Sequence, residues 1–175
     1  METIKPERMI KVVGDQNYKT VQALIDQVFK MVNEKPQEWI NLIVNSSGGL
    51  IDPGFAFYDF IIGVLRPKIQ SIALGAVSSM AIVFFLSGEQ RLIGRNTQVR
   101  FHEFGRTMSK EERYTAREFK TAFEDLKTSQ DRYTQILVER TGGRLTVKKV
   151  LDMMIEEVNL GAKEAVELGI AHEIV

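Results

Sequence analysis

Apolar positions along this chain keep two rhythms, a run and a period near 3.6, and the two take turns. Residues 9–13 form a short apolar run that predicts a strand, and Val21, Leu24, Ile25, Val28, Phe29 and Val32 then recur at helical spacing until Pro36 closes the helical region. Residues 39–44 predict a buried strand that runs into Asn45-Ser46-Ser47-Gly48-Gly49. Asp52 followed by Pro53 has the form of a helix cap and first-turn proline, predicting a helix to about residue 65 that stops before Pro67. Residues 69–74 predict the next strand, Gly75 a turn, and 79–86 a buried helix ended by Gly88. Short strands are expected at 90–93 and 98–101.

The second half is more helical. Ser109 and Glu112 have the spacing of a capping box, predicting a helix over 110–140 whose apolar stripe is Phe119, Phe123, Leu126, Tyr133 and Leu137 and whose end is Gly142-Gly143. Such a helix would be ~45 Å long at 1.5 Å per residue. That is longer than a domain of this size is wide, so part of it should project or pack on another subunit. Helices at 146–156 and 163–168 and a strand at 171–175 complete the pattern. Repeated strand–helix alternation predicts a single α/β domain over 1–175, with a largely parallel sheet covered by helices.

Composition narrows the chemistry. Lys plus Arg equals Asp plus Glu, 23 of each, so no basic excess marks a nucleic-acid or anionic-membrane partner. The longest apolar run, 80–86, is too short to span a bilayer, and no signal peptide is visible, so the default compartment is the cytoplasm. With no cysteine, disulfides, thiolate nucleophiles and zinc–thiolate sites are excluded. His102 and His172 are the two histidines, which argues against a multi-histidine metal site and leaves two choices wherever an imidazole is needed. No metal or cofactor is expected.

Three segments stand out. The Gly48-Gly49 pair after a strand permits positive φ and outward backbone N–H groups, as an oxyanion hole requires; by itself it is also an ordinary strand-to-helix turn. Ser79 at the start of a buried helix lies in the field of unpaired helix N–H groups, which favours a developing alkoxide; by itself it is also an ordinary helix cap, and Ser78 competes for either role. His102 at the end of a strand has the chemistry of a general base, or of a structural histidine. In open α/β sheets sites form beyond the carboxyl ends of the strands, where all three segments would converge. A serine there needs a base, and the base needs a third group to fix its tautomer.

In combination these motifs resemble the ClpP family, the proteolytic subunits of Clp proteases. Asn45-Ser46-Ser47-Gly48-Gly49 is similar to the family's Asn-Ser-Pro-Gly-Gly, with Ser47 in place of proline. Residues 75–81 resemble Gly-x-Ala-Ala-Ser-Met-Gly, and 96–102 resemble Asn-Ser-x-x-x-x-His. Residues 160–170 resemble the closing Leu-Ser-Ala-x-Glu-Ala-x-Glu-Tyr-Gly-Leu. The resemblance implies a ClpP/crotonase-like fold with a long handle helix, and a serine endopeptidase with Ser79 as nucleophile and His102 as base. It places the third member of the triad at Glu157, where the family has aspartate, with Asp152 and Glu156 as alternatives. The N–H groups of Gly49 and Met80 would form the oxyanion hole. The long helix would mate with its counterpart on an opposing ring, giving a homo-oligomer of stacked heptameric rings that encloses the active sites around a peptide or unfolded-protein substrate.

A Clp-type ATPase partner follows from the resemblance, but only about eight residues precede the first strand, where the family has a segment that engages the ATPase. The residues after the histidine, Glu103-Phe104-Gly105-Arg106, also depart from the family's Gln-Pro and glycine-rich strand. Two other classes stay open. One is an assembly subunit of this type without activity. The other is a crotonase-type acyl-CoA enzyme, which shares the fold and backbone oxyanion hole but does not need a Ser–His pair. No lysine stands where a Ser–Lys dyad would need its base. His172 is assigned no role.

Overall fold

The computed structural model describes residues 4–109 and 111–175. In chain order the strands are β1 (Met9–Gln16), β2 (Ile40–Gly49), β3 (Ile69–Ser78), β4 (Gln90–Ile93), β5 (Gln98–Arg100), β6 (Asn159–Leu160) and β7 (Glu173–Ile174). The helices are α1 (Tyr18–Glu34), α2 (Ile51–Asp59), α3 (Met80–Leu86), α4 (Ala116–Arg140), α5 (Val147–Ile155) and α6 (Ala162–Glu167). Strands β1, β2, β3, β4 and β7 lie side by side in that order, all parallel. β5 runs parallel to the far half of β3, and β6 closes antiparallel on β5. The predicted α/β architecture with its parallel sheet and long helix is the one formed.

The apolar runs become the buried strands. Ile40, Leu42 and Val44 of β2 are fully buried, and every residue of α3 is too, held between the sheet, α2 and α4. Burial on all sides explains why residues 80–86 carry no polar residue. The rings of Phe57 on α2 and Phe84 on α3 meet at 4.9 Å. Helix α1 opens on a full capping box from Asn17 and Thr20. The buried Arg8 ties its C-terminal turn to the loop beyond it, its guanidinium donating to Met31 O at 2.7 Å and to Glu38 O at 3.0 Å.

Several boundaries differ from the sequence-based expectation. Helix α2 is capped by Leu50, not Asp52, because the chain turns into the helix directly from Gly49; Asp52 and Pro53 lie inside its first turn. Its continuation over Phe60–Leu65 is π-helical and ends at Arg66 in the left-handed region. Gly75 has positive φ but does not end β3, which runs on to Ser78. The long helix starts at Ala116, and its capping box is Thr115 with Glu118. Ser109 instead bonds within an irregular run: its N–H donates to Tyr114 Oη at 2.8 Å, and Tyr114 Oη donates to Glu112 at 2.9 Å. Residue 110, the expected first residue of the helix, lies outside the described residues. The helix is therefore about 37 Å long at 1.5 Å per residue, not ~45 Å. Its apolar stripe divides: Tyr133 and Leu137 are buried, while Phe119 and Phe123 are exposed.

Candidate active site

Ser79 sits at the turn from β3 into α3 with φ 54 and ψ −130. Positive φ is costly for a residue with a Cβ, and a sharp, strained strand-to-helix turn is what lifts a serine hydroxyl above a sheet. The side chain does not cap α3, so the ordinary reading of this serine as a helix cap fails. Ser79 is 8% exposed. Its backbone is tied down on both sides: its N–H donates to Arg100 O at 3.1 Å, and its C=O accepts from Ile82 N–H at 3.0 Å.

The two glycines come to this serine through the sheet. Gly48 has φ 110 and Gly49 φ 143, values that L side chains rarely adopt. A Cβ on Gly48 would lie 3.0 Å from Ser79 Cβ and 3.1 Å from Met80 N. Position 48 must therefore be bare for the turn to rest against the serine. The turn is held by Ser46, which is buried and whose Oγ accepts Gly48 N–H at 3.0 Å and donates to Gly14 O at 2.5 Å. Ser47 Oγ donates to Asp15 Oδ1, so the residue that replaces the family's proline fastens the turn to β1. The β1 ladder continues through Leu50 N–H to Gln16 O at 2.8 Å. A parallel ladder uses alternate residues, which leaves the Gly49 N–H out of it. Met80 N–H belongs to the first helical residue, which has no acceptor within its own helix.

Strand register brings the other two candidates to the same end of the sheet. Ser78 of β3 is level with Arg100 of β5. Arg100 in turn pairs with Asn159 of β6, and Phe101 N–H donates to Val158 O at 2.9 Å. Counted one residue past these bonds, the same register would put His102 opposite Glu157, although neither lies in a strand. Asp152 and Glu156 are not on this register, and Asp152 is held by Lys148 at 2.6 Å. Glu157 is at the left-handed position that ends α5, φ 51, with Val158 N–H on Met153 O at 3.0 Å and its own N–H on Met154 O at 3.3 Å. This is a Schellman ending with glutamate where glycine is usual.

The side chains of His102 and Glu157 are not joined. Both are exposed, and His102 Nδ1 lies 2.7 Å from the carbonyl oxygen of Glu103. A carbonyl can only accept, so Nδ1 carries the proton and the lone pair stays on Nε2. That is the tautomer a base for serine requires. The ring is flanked by two anchors: Phe101 is buried, and Phe104 packs edge-on against Tyr133 of α4 with ring centroids 5.2 Å apart. A cavity of about 700 Å³ opens beside Gly49, between the start of α2 and the middle of α4; Arg106, Asp125 and Arg132 line it.

His172 lies elsewhere. Its Nδ1 accepts Arg91 N–H at 3.2 Å near the start of β4, at the opposite end of the sheet from Ser79. Arg91 itself, 4% exposed, was not singled out by the sequence, since a lone arginine in a short strand carries no motif.

An open parallel sheet with a strained serine turn, a double-glycine turn and a projecting helix defines an α/β protein of the ClpP/crotonase type. A family model described as Clp protease matches residues 1–175, and the chain belongs to that family. It is 30% identical over 171 residues to a protein of Dehalococcoides mccartyi strain CBDB1 named "ATP-dependent Clp protease proteolytic subunit", covering 96% of this chain and 82% of the relative. A protein of the same name from Chaetosphaeridium globosum is 28% identical over 166 residues, covering 94% of this chain and 80% of the relative. Among the described residues, no helix is long and apolar enough to cross a membrane.

Proposed function

We propose that this chain is one domain of a serine endopeptidase, a proteolytic subunit that works in the cytoplasm inside a chamber of stacked heptameric rings. The observation that carries the reading is the buried, strained turn at Ser79 with Gly48 pressed against it. Ser79 Oγ attacks the peptide carbonyl carbon while its proton passes to His102 Nε2. The oxyanion forms against the N–H groups of Gly49 and Met80, each such donor being worth about 3 kcal/mol of transition-state stabilisation. His102 then delivers the proton to the leaving amine as the C–N bond breaks, and water attacks the acyl-serine by the same route in reverse. Glu157 orients the imidazole once the ring leaves the Glu103 carbonyl. An extended substrate adds as a strand beside the glycine turn. The relatives' name, which includes "ATP-dependent", supports a Clp-type ATPase as partner.

The test is labelling by a fluorophosphonate. Wild type should be labelled and Ser79→Ala should not; equal labelling of the two would reject Ser79 as nucleophile. A second reading, an assembly subunit without activity, is favoured by one observation: His102 bonds its own backbone neighbour and not Glu157. Hydrolysis of small peptide esters by wild type, lost in Ser79→Ala, would remove it.

A further inference from the structure

The end of the sheet away from Ser79 holds a cavity of about 550 Å³. Arg66, Arg91, Arg140 and Arg144 line it together with His172, and so do Glu89 and Glu139. Four guanidinium groups against two carboxylates leave this lining two positive charges in excess, in a chain whose net charge is zero. Among the described residues none of the four arginines forms an ion pair.

The wall of the cavity is fixed by the backbone. Arg91 donates from Nε to Ile170 O at 2.8 Å, and from Nη2 to Arg140 O at 2.8 Å and Gly169 O at 3.0 Å. Arg140 donates from Nε to Leu86 O at 2.9 Å and from Nη2 to Gly88 O at 2.8 Å, gathering carbonyls at the end of α3. These bonds set the direction of the guanidinium planes and leave their charge uncancelled. Burial, and then the charge of Arg140, pull Arg91 down to about 10. The ring of His172 accepts from Arg91 N–H through Nδ1, which leaves Nε2 to carry its proton as a further donor. Burial and the three neighbouring arginines hold its pKa low. Arg66 and Arg144 are exposed at the mouth, and among the described residues the Arg66 side chain makes no hydrogen bond.

We propose that this cavity binds a phosphate-bearing small molecule, with Arg66 and Arg144 closing on an oxyanion that Arg140 and His172 already face. Guanidinium forks match phosphate oxygens two at a time. A single carboxylate would leave half of the excess charge unbalanced, a phosphate dianion balances it, and a pyrophosphate more than balances it. The site is independent of the peptidase reading, since none of its residues belongs to the Ser79 end of the sheet.

The experiment is titration calorimetry of the full chain with inorganic pyrophosphate in chloride buffer. One saturable site per chain is expected. The double variant Arg66→Gln/Arg144→Gln should weaken it at least roughly tenfold, as loss of charge-assisted hydrogen bonds worth more than 1.4 kcal/mol requires. Its thermal midpoint without ligand should stay unchanged, and Arg95→Gln, which does not line the cavity, should bind as wild type. Absence of saturable heat, equal binding by the double variant, equal loss in Arg95→Gln, or equally tight binding of citrate would each overturn the proposal.

Discussion

The two halves of the candidate active site are held in different ways. On the Ser79 side every group is fixed by buried structure: β2 and β3 are internal strands, Ser46 pins the glycine turn, and the Ser79 amide and carbonyl are both engaged. On the His102 side the imidazole and Glu157 are exposed, on a run anchored by Phe101 and Phe104 and at the end of a short helix. The proposed nucleophile and oxyanion donors are thus organised by the core of a single chain. The proposed base is organised by a surface segment that also touches the long helix, the element proposed to meet an opposing ring.

The largest effect expected to break this contrast is Gly48→Val. A branched side chain at φ 110 within 3.1 Å of Ser79 and Met80 must displace the turn. Fluorophosphonate labelling should fall on the order of 100-fold, the effect of losing one oxyanion donor. Labelling at the wild-type rate would mean that the glycine turn is not part of the site. Phe104→Ala comes next. It removes a buried ring from Tyr133 and should cost about 3 kcal/mol in denaturant unfolding, and it should slow labelling because His102 is two residues away. Unchanged stability would show that the segment is not anchored there.

Glu157→Gly sharpens the comparison from the other side. Glycine relieves the left-handed strain and should raise stability by about 1 kcal/mol, while slowing ester hydrolysis if the carboxylate orients His102. A gain in stability with full activity would leave the carbonyl of Glu103 as the orienting group. The smallest effect concerns the start of α4. The Thr115 backbone N–H, and then its hydroxyl, hold the Glu118 carboxyl below the usual carboxylate range. Its stabilisation is therefore present above the ordinary carboxylate pKa and lost as pH falls through the lowered one. Wild type should exceed Glu118→Gln in thermal midpoint at neutral pH, and the difference should vanish in strong acid.

Much of this was legible from residue order. The apolar runs gave strands and the buried helix α3, because segments covered on all sides are mostly apolar, the buried Asn41, Gln70 and Ser71 being hydrogen-bonded exceptions. The two glycines were readable because positive φ favours that residue type; Ser79 and His102 were proposed from side-chain chemistry and the resemblance. Helix starts were less so. Serine–glutamate at 109–112 and threonine–glutamate at 115–118 have the same spacing; the second forms the capping box, while the Ser109 N–H is taken by the Tyr114 hydroxyl. Asp52 was misread because a glycine turn can enter a helix without a polar cap. The arginine cavity left no local signal at all: its members come from elements far apart in the chain and meet only in the folded domain.

Among the described residues three that are not glycine adopt positive φ: Arg66, Ser79 and Glu157. Each such conformation carries a cost of order 1–3 kcal/mol, and one mutation to glycine would remove most of it. This chain carries a guanidinium, a hydroxyl and a carboxylate at these three places, and so three separate local burdens on its own folding.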